Sequence, residues 1–277
     1  MTANENNLAT FSSERVVDEY VEIFDKDRGF LNAGERAAFL RAASRTRGLP
    51  ILDVGVGTGR TTALLLMASD NYVAIDYAQP MVTEFARNYP EVPCLCLDAR
   101  DLSHFRGEKF GLIVFSNNAI DAVSHEDREL ILSEFASVLA PGGLIVFSTM
   151  NKLGPWYEEH PFQLRRPTLP FKFSLRAAVI AFGRRLLNPI GLVRAPWNWW
   201  KGRRQVEDHG DWAMGRFSPH DFDLVIHFTT LPDLCSTLSA AGLRAEVIYT
   251  DEGQPIDPGS DGYGVGNFTV VACADQQ

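Results

Sequence analysis

ILDVGVGTGR, residues 51 to 60, packs a strand, a turn and the start of a helix into one short stretch. A buried strand delivers Asp53, and then glycines alternate at Gly55, Gly57 and Gly59. Glycine tolerates positive φ and lets a backbone approach a ligand closely. Loops at the carboxyl ends of parallel strands are where open α/β sheets bind ligands. The dinucleotide fingerprint GxGxxG aims a helix N-terminus at a pyrophosphate. Here the pattern is DxGxGxG, with an acid ahead of the loop, so a nicotinamide oxidoreductase is disfavoured.

On both sides of this loop, from about residue 13 to 150, short apolar runs alternate with helical patterns, the signature of a parallel sheet covered on both faces. The strands are expected in LPILDVG, NYVAID, VPCLCLD, FGLIVFS and GLIVFST, and the helices in GRTTALLLMAS, QPMVTEFARNY and HEDRELILSEFASVLA. APGG, ending at Gly143, reads as the turn before the fifth strand. After Met150 the rhythm breaks for about 70 residues, a segment that holds all five tryptophans. His160 to Gln205 carries ten Lys or Arg and no Asp or Glu, whereas the remainder carries twelve acids against two basic residues. Regular structure then resumes with DLVIHFTT, a helix in LPDLCSTLSAAGL, and a closing strand pair in LRAEVIYTD and GNFTVVACA. The expected organisation is N-terminal helices with a ligand-binding α/β core (1–150), a Trp- and Arg-rich insertion (151–222), and the closing strands and helix of the core sheet (223–277).

The other strand ends carry polar groups at matching places: Asp76 on the second, Asp98 in CLDARDL on the third, and SNNAID on the fourth. Together with the glycine loop they resemble the class I S-adenosylmethionine-dependent methyltransferases, over residues 45 to 150 plus the closing strands. The resemblance implies a Rossmann-like α/β fold with a seven-stranded, mostly parallel sheet, one strand antiparallel, and a substrate-capping insertion after the fifth strand. It implies S-adenosylmethionine as cofactor and S-adenosylhomocysteine as product. By position, Gly55, Gly57 and Gly59 would face the amino-acid end of the cofactor, with Asp53 orienting that loop or the amino group. Asp76 would hold the ribose, Tyr77 and Met81 would flank the adenine, Asp98 with Ala99 would read its edge, and Asn117 would complete the site. HGDWA, the AAGL helix end and the DEGQPI turn bear a fainter likeness to small bacterial methyltransferases of polysaccharide and glycan biosynthesis, which leans the acceptor toward a sugar hydroxyl.

Methyl transfer from a sulfonium is an in-line displacement, so a hydroxyl acceptor must be aligned and relieved of its proton. The candidate bases are Asp121 and His125 beyond the fourth strand, and His227 on a later strand. Ser124 with Asp127 also reads as a helix cap, which gives His125 a purely structural alternative. Among the other histidines, His104 reads as a surface turn, and His160, His209 and His220 lie in the insertion. Substrate contacts are expected from Tyr20, in the amphipathic segment VVDEYVEIF, and from Asn118, Trp156, Trp199, Trp200, His209 and Trp212. Three readings of APWNWWKGRR (195–204) stand side by side: rings filling a seam between insertion and core, a membrane-surface segment beginning in SLRAAVIAFGRRLLNPIGLV, and a flat aromatic platform for a sugar ring. N-methylation of an amino sugar or amine, and a non-catalytic cofactor-binding partner, are the alternative functions.

Bulk properties bound these readings. A chain of 277 residues with net charge −9 can bury a full core and lacks the basic face that nucleic-acid binding needs. Cys94, Cys96, Cys235 and Cys273 show no metal spacing, no ligand cluster compels a divalent ion, and no run is long enough to span a membrane. The expectation is a soluble cytoplasmic monomer or homodimer acting on a small molecule.

Overall fold

The computed structural model describes residues 2–27, 31–161 and 189–275. Its large sheet contains β1 (Ile51–Val54), β2 (Tyr72–Asp76), β3 (Cys94–Cys96), β4 (Phe110–Phe115), β5 (Leu139–Met150), β9 (Leu243–Thr250), β10 (Pro255–Ile256) and β11 (Asn267–Ala274). The spatial order is β10-β9-β11-β5-β4-β1-β2-β3. β1 to β5 pair in parallel, and β11 runs antiparallel between β5 and β9. The seven expected strands are therefore present, and the short β10 adds an eighth at the edge. The residues of β1 and β4 are all buried, as expected for apolar strands covered on both faces. APGG makes its turn as a bulge between the pairs Phe110↔Leu139 and Leu112↔Leu144.

The helices are α1 (Ala3–Phe11), α2 (Glu14–Asp27), α3 (Ala33–Thr46), α4 (Thr62–Leu66), α5 (Gln79–Asn88), α6 (His125–Val138), α7 (Pro189–Lys201) and α8 (Leu231–Ala240). One face of the sheet packs on Phe135 of α6 and Leu234 and Leu238 of α8, the other on Phe39 of α3 and Phe85 of α5. Truncating any of the three buried phenylalanines to Ala would cost about 3–5 kcal/mol. Ser124 caps α6 by accepting a hydrogen bond from the Asp127 N–H, as its spacing indicates.

A second, antiparallel sheet contains β6 (Glu207–Asp208), β7 (Trp212–Phe217) and β8 (Leu224–Thr229). This corrects one expectation: DLVIHFTT does not close the large sheet but pairs with β7, Met214 opposite His227. The apolar run of β8 is covered on both sides, so its sequence looks like a core strand of either sheet. Helix α1, the first of the N-terminal helices, is polar in composition. Thr2 and Glu5 form its capping box, and buried Asn7 donates to the carbonyls of Ala122 and Val225, both at 2.8 Å, tying the helix to both sheets.

Six of the ten basic residues of the insertion (Arg165, Arg166, Lys172, Arg176, Arg184 and Arg185) lie outside the described residues, as does most of the segment read as a membrane-surface helix. Among the described residues no helix is long and apolar enough to cross a membrane.

Candidate active site

A cleft of about 520 Å³ opens over the carboxyl ends of β1, β2 and β4. Its floor is the glycine loop, and the three glycines serve different ends. Gly57 has φ +57° and lines the cleft; a Cβ there would meet no atom nearer than Tyr20 at 3.9 Å, so the absent side chain leaves space on the cleft side. Gly59 is not part of the lining. Its constraint is packing, since a Cβ would come within 2.5 Å of the Tyr89 ring.

Asp53 lies below this loop and does not reach the cleft. Its Oδ2 accepts from Thr61 Oγ1 and Tyr72 Oη, both at 2.8 Å, fixing the start of α4 against β2. Burial pushes its carboxyl up to about 6. Asp76 does line the cleft, accepting from the Gly57 N–H on one oxygen and the Ala78 N–H on the other, both at 2.9 Å. Burial raises it to about 6 as well, against the pull of those two donors. Tyr77, Met81, Asp98, Ala99, Asn117 and Asn118 also line the cleft. Asp98 is gripped by the Arg100 guanidinium at 2.6 Å, and Arg100 bridges onward to Asp127 of α6.

Two consecutive residues after β4, Asn117 and Asn118, have φ of 57°. Asparagine bears the left-handed conformation better than most residues, and strain of this kind collects at functional sites. Buried Glu35 holds the turn in place: it accepts from the Asn117 N–H at 3.1 Å and pairs with Arg60 of the glycine loop at 2.7 Å. Glu35 and Arg60 escaped the sequence reading; the structure shows that Glu35 also closes a capping box with Asn32 at the start of α3.

The roof of the cleft comes from segments distant in sequence. Phe11, Glu19 and Tyr20 contribute from the N-terminal helices, and Phe217, Pro219, His220, Leu224 and Ile226 from the small sheet. His220 sits in a left-handed run with Asp221 and Phe222, at φ 55°, 57° and 60°. Such residues cost roughly 1–2 kcal/mol each. The run is held by the buried Phe222 and by His220 Nδ1, which lies 2.6 Å from Glu19 Oε2. The Tyr20 ring stacks on His220 with centroids 6.0 Å apart, and burial pushes the Tyr20 hydroxyl up to about 12. Tyr20 is a lining residue of the cleft. Of the histidines, only His220 belongs to the lining, and Glu19 beside it was missed even though VVDEYVEIF carries it next to Tyr20.

The other expected site residues lie elsewhere. Asp121 is fully buried: Arg128 Nη1 donates to it at 2.5 Å, Thr149 Oγ1 at 2.7 Å and the Met150 N–H at 2.6 Å. With its oxygens committed to a closed network, Asp121 has no route to an acceptor. His125 and His227 come together, ring nitrogens 3.0 Å apart, but neither is a lining residue. The pleat explains His227: Leu224 and Ile226 face the cleft, so His227, in odd register with them, faces the opposite side. None of the tryptophans lines the cleft either. Trp156 packs near Phe217, Trp199 lies under the Arg216 guanidinium, and Trp197 and Trp200, 62% and 51% exposed, stack on each other. Trp212 is sandwiched between His125 and His209, outside the cleft.

The lining suits a cationic, hydroxyl-bearing ligand with a flat ring. Glu19, Asp76 and Asp98 make it acidic, while Arg60 is paired with Glu35. Tyr77 Oη and Asn118 Oδ1, buried atoms on two lining residues, have no hydrogen-bond partner among the described residues. Gly57 lines the same cleft.

Comparison with known proteins agrees with this geometry. Residues 51–143 match the family model described as a methyltransferase domain. A demethylmenaquinone methyltransferase of Clavibacter sepedonicus is 32% identical over 142 residues, which span 48% of this chain and 56% of that protein. An S-adenosylmethionine-dependent methyltransferase from Clostridium acetobutylicum ATCC 824 superposes with a TM-score of 0.55 at 13% identity, covering 94% of this chain and 99% of that one. The sugar N-methyltransferase KedS8 from Streptoalloteichus sp ATCC 53650 gives 0.53 at 17% identity, over 94% and 92% of the two chains. At such identities the two structures speak for the fold, and the family match speaks for the cofactor half. Residues 51–143 are thus similar to a methyltransferase domain, and the chain as a whole has the α/β fold of the S-adenosylmethionine-dependent methyltransferases on which it superposes.

Proposed function

We propose that this protein transfers a methyl group to a hydroxyl of a small acceptor, with His220 as general base and Glu19 as the residue that orients it. The observation that carries the reading is the His220–Glu19 contact at 2.6 Å on the wall of the cleft. S-adenosylmethionine, when bound, supplies the electrophilic methyl group. Asp76 would take the ribose hydroxyls, the Gly55 and Gly57 loop the amino-acid end, Tyr77 and Met81 the adenine faces, and Asp98 with Ala99 its edge. Asp53 supports the loop through Thr61 rather than touching the ligand.

With Nδ1 committed to Glu19, His220 presents Nε2 as the nitrogen left for an acceptor proton. Phe11, Phe217, Leu224 and Ile226 make the acceptor end largely apolar. That favours a ring-bearing acceptor with few hydroxyls over an oligosaccharide, because the tryptophans that suggested a sugar platform lie away from the cleft. The quinone-derived substrate in the name of the curated relative agrees with this lean.

Release of S-adenosylhomocysteine from S-adenosylmethionine and a panel of phenols, quinols, sugars, amino sugars and amines tests the proposal. Turnover should be confined to hydroxyl acceptors, and His220→Asn should lower kcat by ~10²–10⁴ with the cofactor Kd unchanged. Turnover of amines that merely slows in His220→Asn would replace the proposal with N-methylation, where the acceptor nitrogen is itself the nucleophile. Cofactor binding with no turnover on any acceptor would favour a non-catalytic partner.

A further inference from the structure

We propose that His125, His227 and Asp233 form a binding site for a divalent transition-metal ion, on the side of the small sheet away from the cleft. The three residues come from separate elements: the first residue of α6, the middle of β8 and the first turn of α8. One ligand atom from each lies within 4.8 Å of the other two. The closest pair, His125 Nδ1 and His227 Nε2, is 3.0 Å apart. Two ligands on one ion, with bonds of ~2.0–2.1 Å and bond angles between octahedral and tetrahedral, stand ~2.9–3.4 Å apart.

A proton shared between the two imidazoles is the rival explanation of that contact, and it accounts for the pair incompletely. His227 is fully buried, and its Nδ1 has no hydrogen-bond partner among the described residues. Whichever ring carries the shared proton, His227 has only another imidazole to satisfy it. A carboxylate within reach of both rings is what a cation site adds to a histidine pair.

Two of the three ligands, Asp233 and His125, have neighbours of the kind that orient metal ligands. Thr229 Oγ1 donates to Asp233 Oδ2 at 2.6 Å and sets the carboxylate. Glu129 Oε1 stands 3.7 Å from the other ring nitrogen of His125. Trp212 stacks on His125 at 4.2 Å with 6° between the planes, fixing the ring. Arg128, whose charge reaches His227, is neutralised by Asp121. Two imidazoles and one carboxylate suit Zn²⁺ and its first-row neighbours, and three protein ligands leave a position for water. An ion there would pin β8, which supplies Leu224 and Ile226 to the cleft wall, against α6 and α8.

The test uses the purified chain stripped with chelator, dialysed against zinc, and does not depend on methyl transfer. One zinc per chain is expected, with a raised Tm. Binding should weaken at least ~10-fold in His125→Ala and in Asp233→Asn, and remain unchanged in His104→Ala, whose ring is exposed. His227→Gln replaces a buried ring, so the partly exposed His125 and Asp233 carry the decision, with circular dichroism confirming the fold. Cobalt in place of zinc should give the visible absorption of a nitrogen- and oxygen-ligated ion, lost in the same two variants. Absence of stoichiometric zinc on the folded chain, or zinc retained equally by His125→Ala and Asp233→Asn, would overturn the site and leave the pair as a histidine–histidine hydrogen bond.

Discussion

The cleft over the large sheet and the block behind the small sheet both collect histidines, carboxylates and aromatic rings, but they do so in opposite ways. In the cleft, the polar groups sit on strand ends and left-handed turns, and the space between them is open. In the block, Asp121 meets Arg128, His125 meets His227, and Trp212 fills the gap between His125 and His209. Residue type alone does not separate the two. What separates them is which face of β8 a side chain takes and whether open space lies beside its polar atoms.

The sharpest way to break this comparison is to remove Asp121. If it belongs to the block, Asp121→Ala strands the buried Arg128 guanidinium and lowers stability by about 3–5 kcal/mol, as urea unfolding would show. If Asp121 served the acceptor instead, Asp121→Asn would fold with little loss and stop turnover. We expect Asp121→Asn to show the reverse, a clear loss of stability with turnover per folded molecule largely kept.

The same contrast explains what the sequence disclosed. The parallel sheet, the glycine loop, Asp76 and Asp98 were legible because continuous apolar runs and helical spacing place them without reference to anything distant. Tyr20 was legible from an amphipathic helix, whereas nothing in that helix singled out Glu19 beside it. His220 stood among several equivalent histidines, since its place depends on three left-handed residues in SPHDFD that no periodicity announces. His227 was misjudged because a strand doubly covered by apolar residues gives no sign of which face meets a cleft. Burial of the N-terminal Asn6 and Asn7 rests on hydrogen bonds to Ala122, Asp223 and Val225, all distant in sequence.

A smaller effect sharpens the cleft side. Asp76 has its carboxyl raised to about 6 by burial, so it takes up a proton in the ligand-free protein as pH falls through that value. A protonated Asp76 is a poorer acceptor for ligand hydroxyls, so cofactor binding should weaken toward acid, not toward base. For one group with this titration, Kd should rise ~4-fold between pH 7.5 and 5.5. Isothermal titration at the two values measures it, and Asp76→Asn should bind more weakly at both and lose most of the pH dependence. An equal rise in the Asn variant would assign the titration to another group.

The smallest effect is expected where the sequence looked richest. Trp200 is half exposed, its ring covered on one side by Arg203 at 3.7 Å and stacked with Trp197 at 5.5 Å, so its contacts are with its own helix and the turn that follows. A residue in that setting contributes through local cation–π and ring contacts, each worth about 0.5–1 kcal/mol at an exposed site. Trp200→Ala should therefore leave the acceptor KM within ~2-fold of wild type and change stability only slightly. A tenfold rise in KM with kcat preserved would instead carry the acceptor out of the cleft and across α7, and would restore the aromatic platform that APWNWWKGRR first suggested.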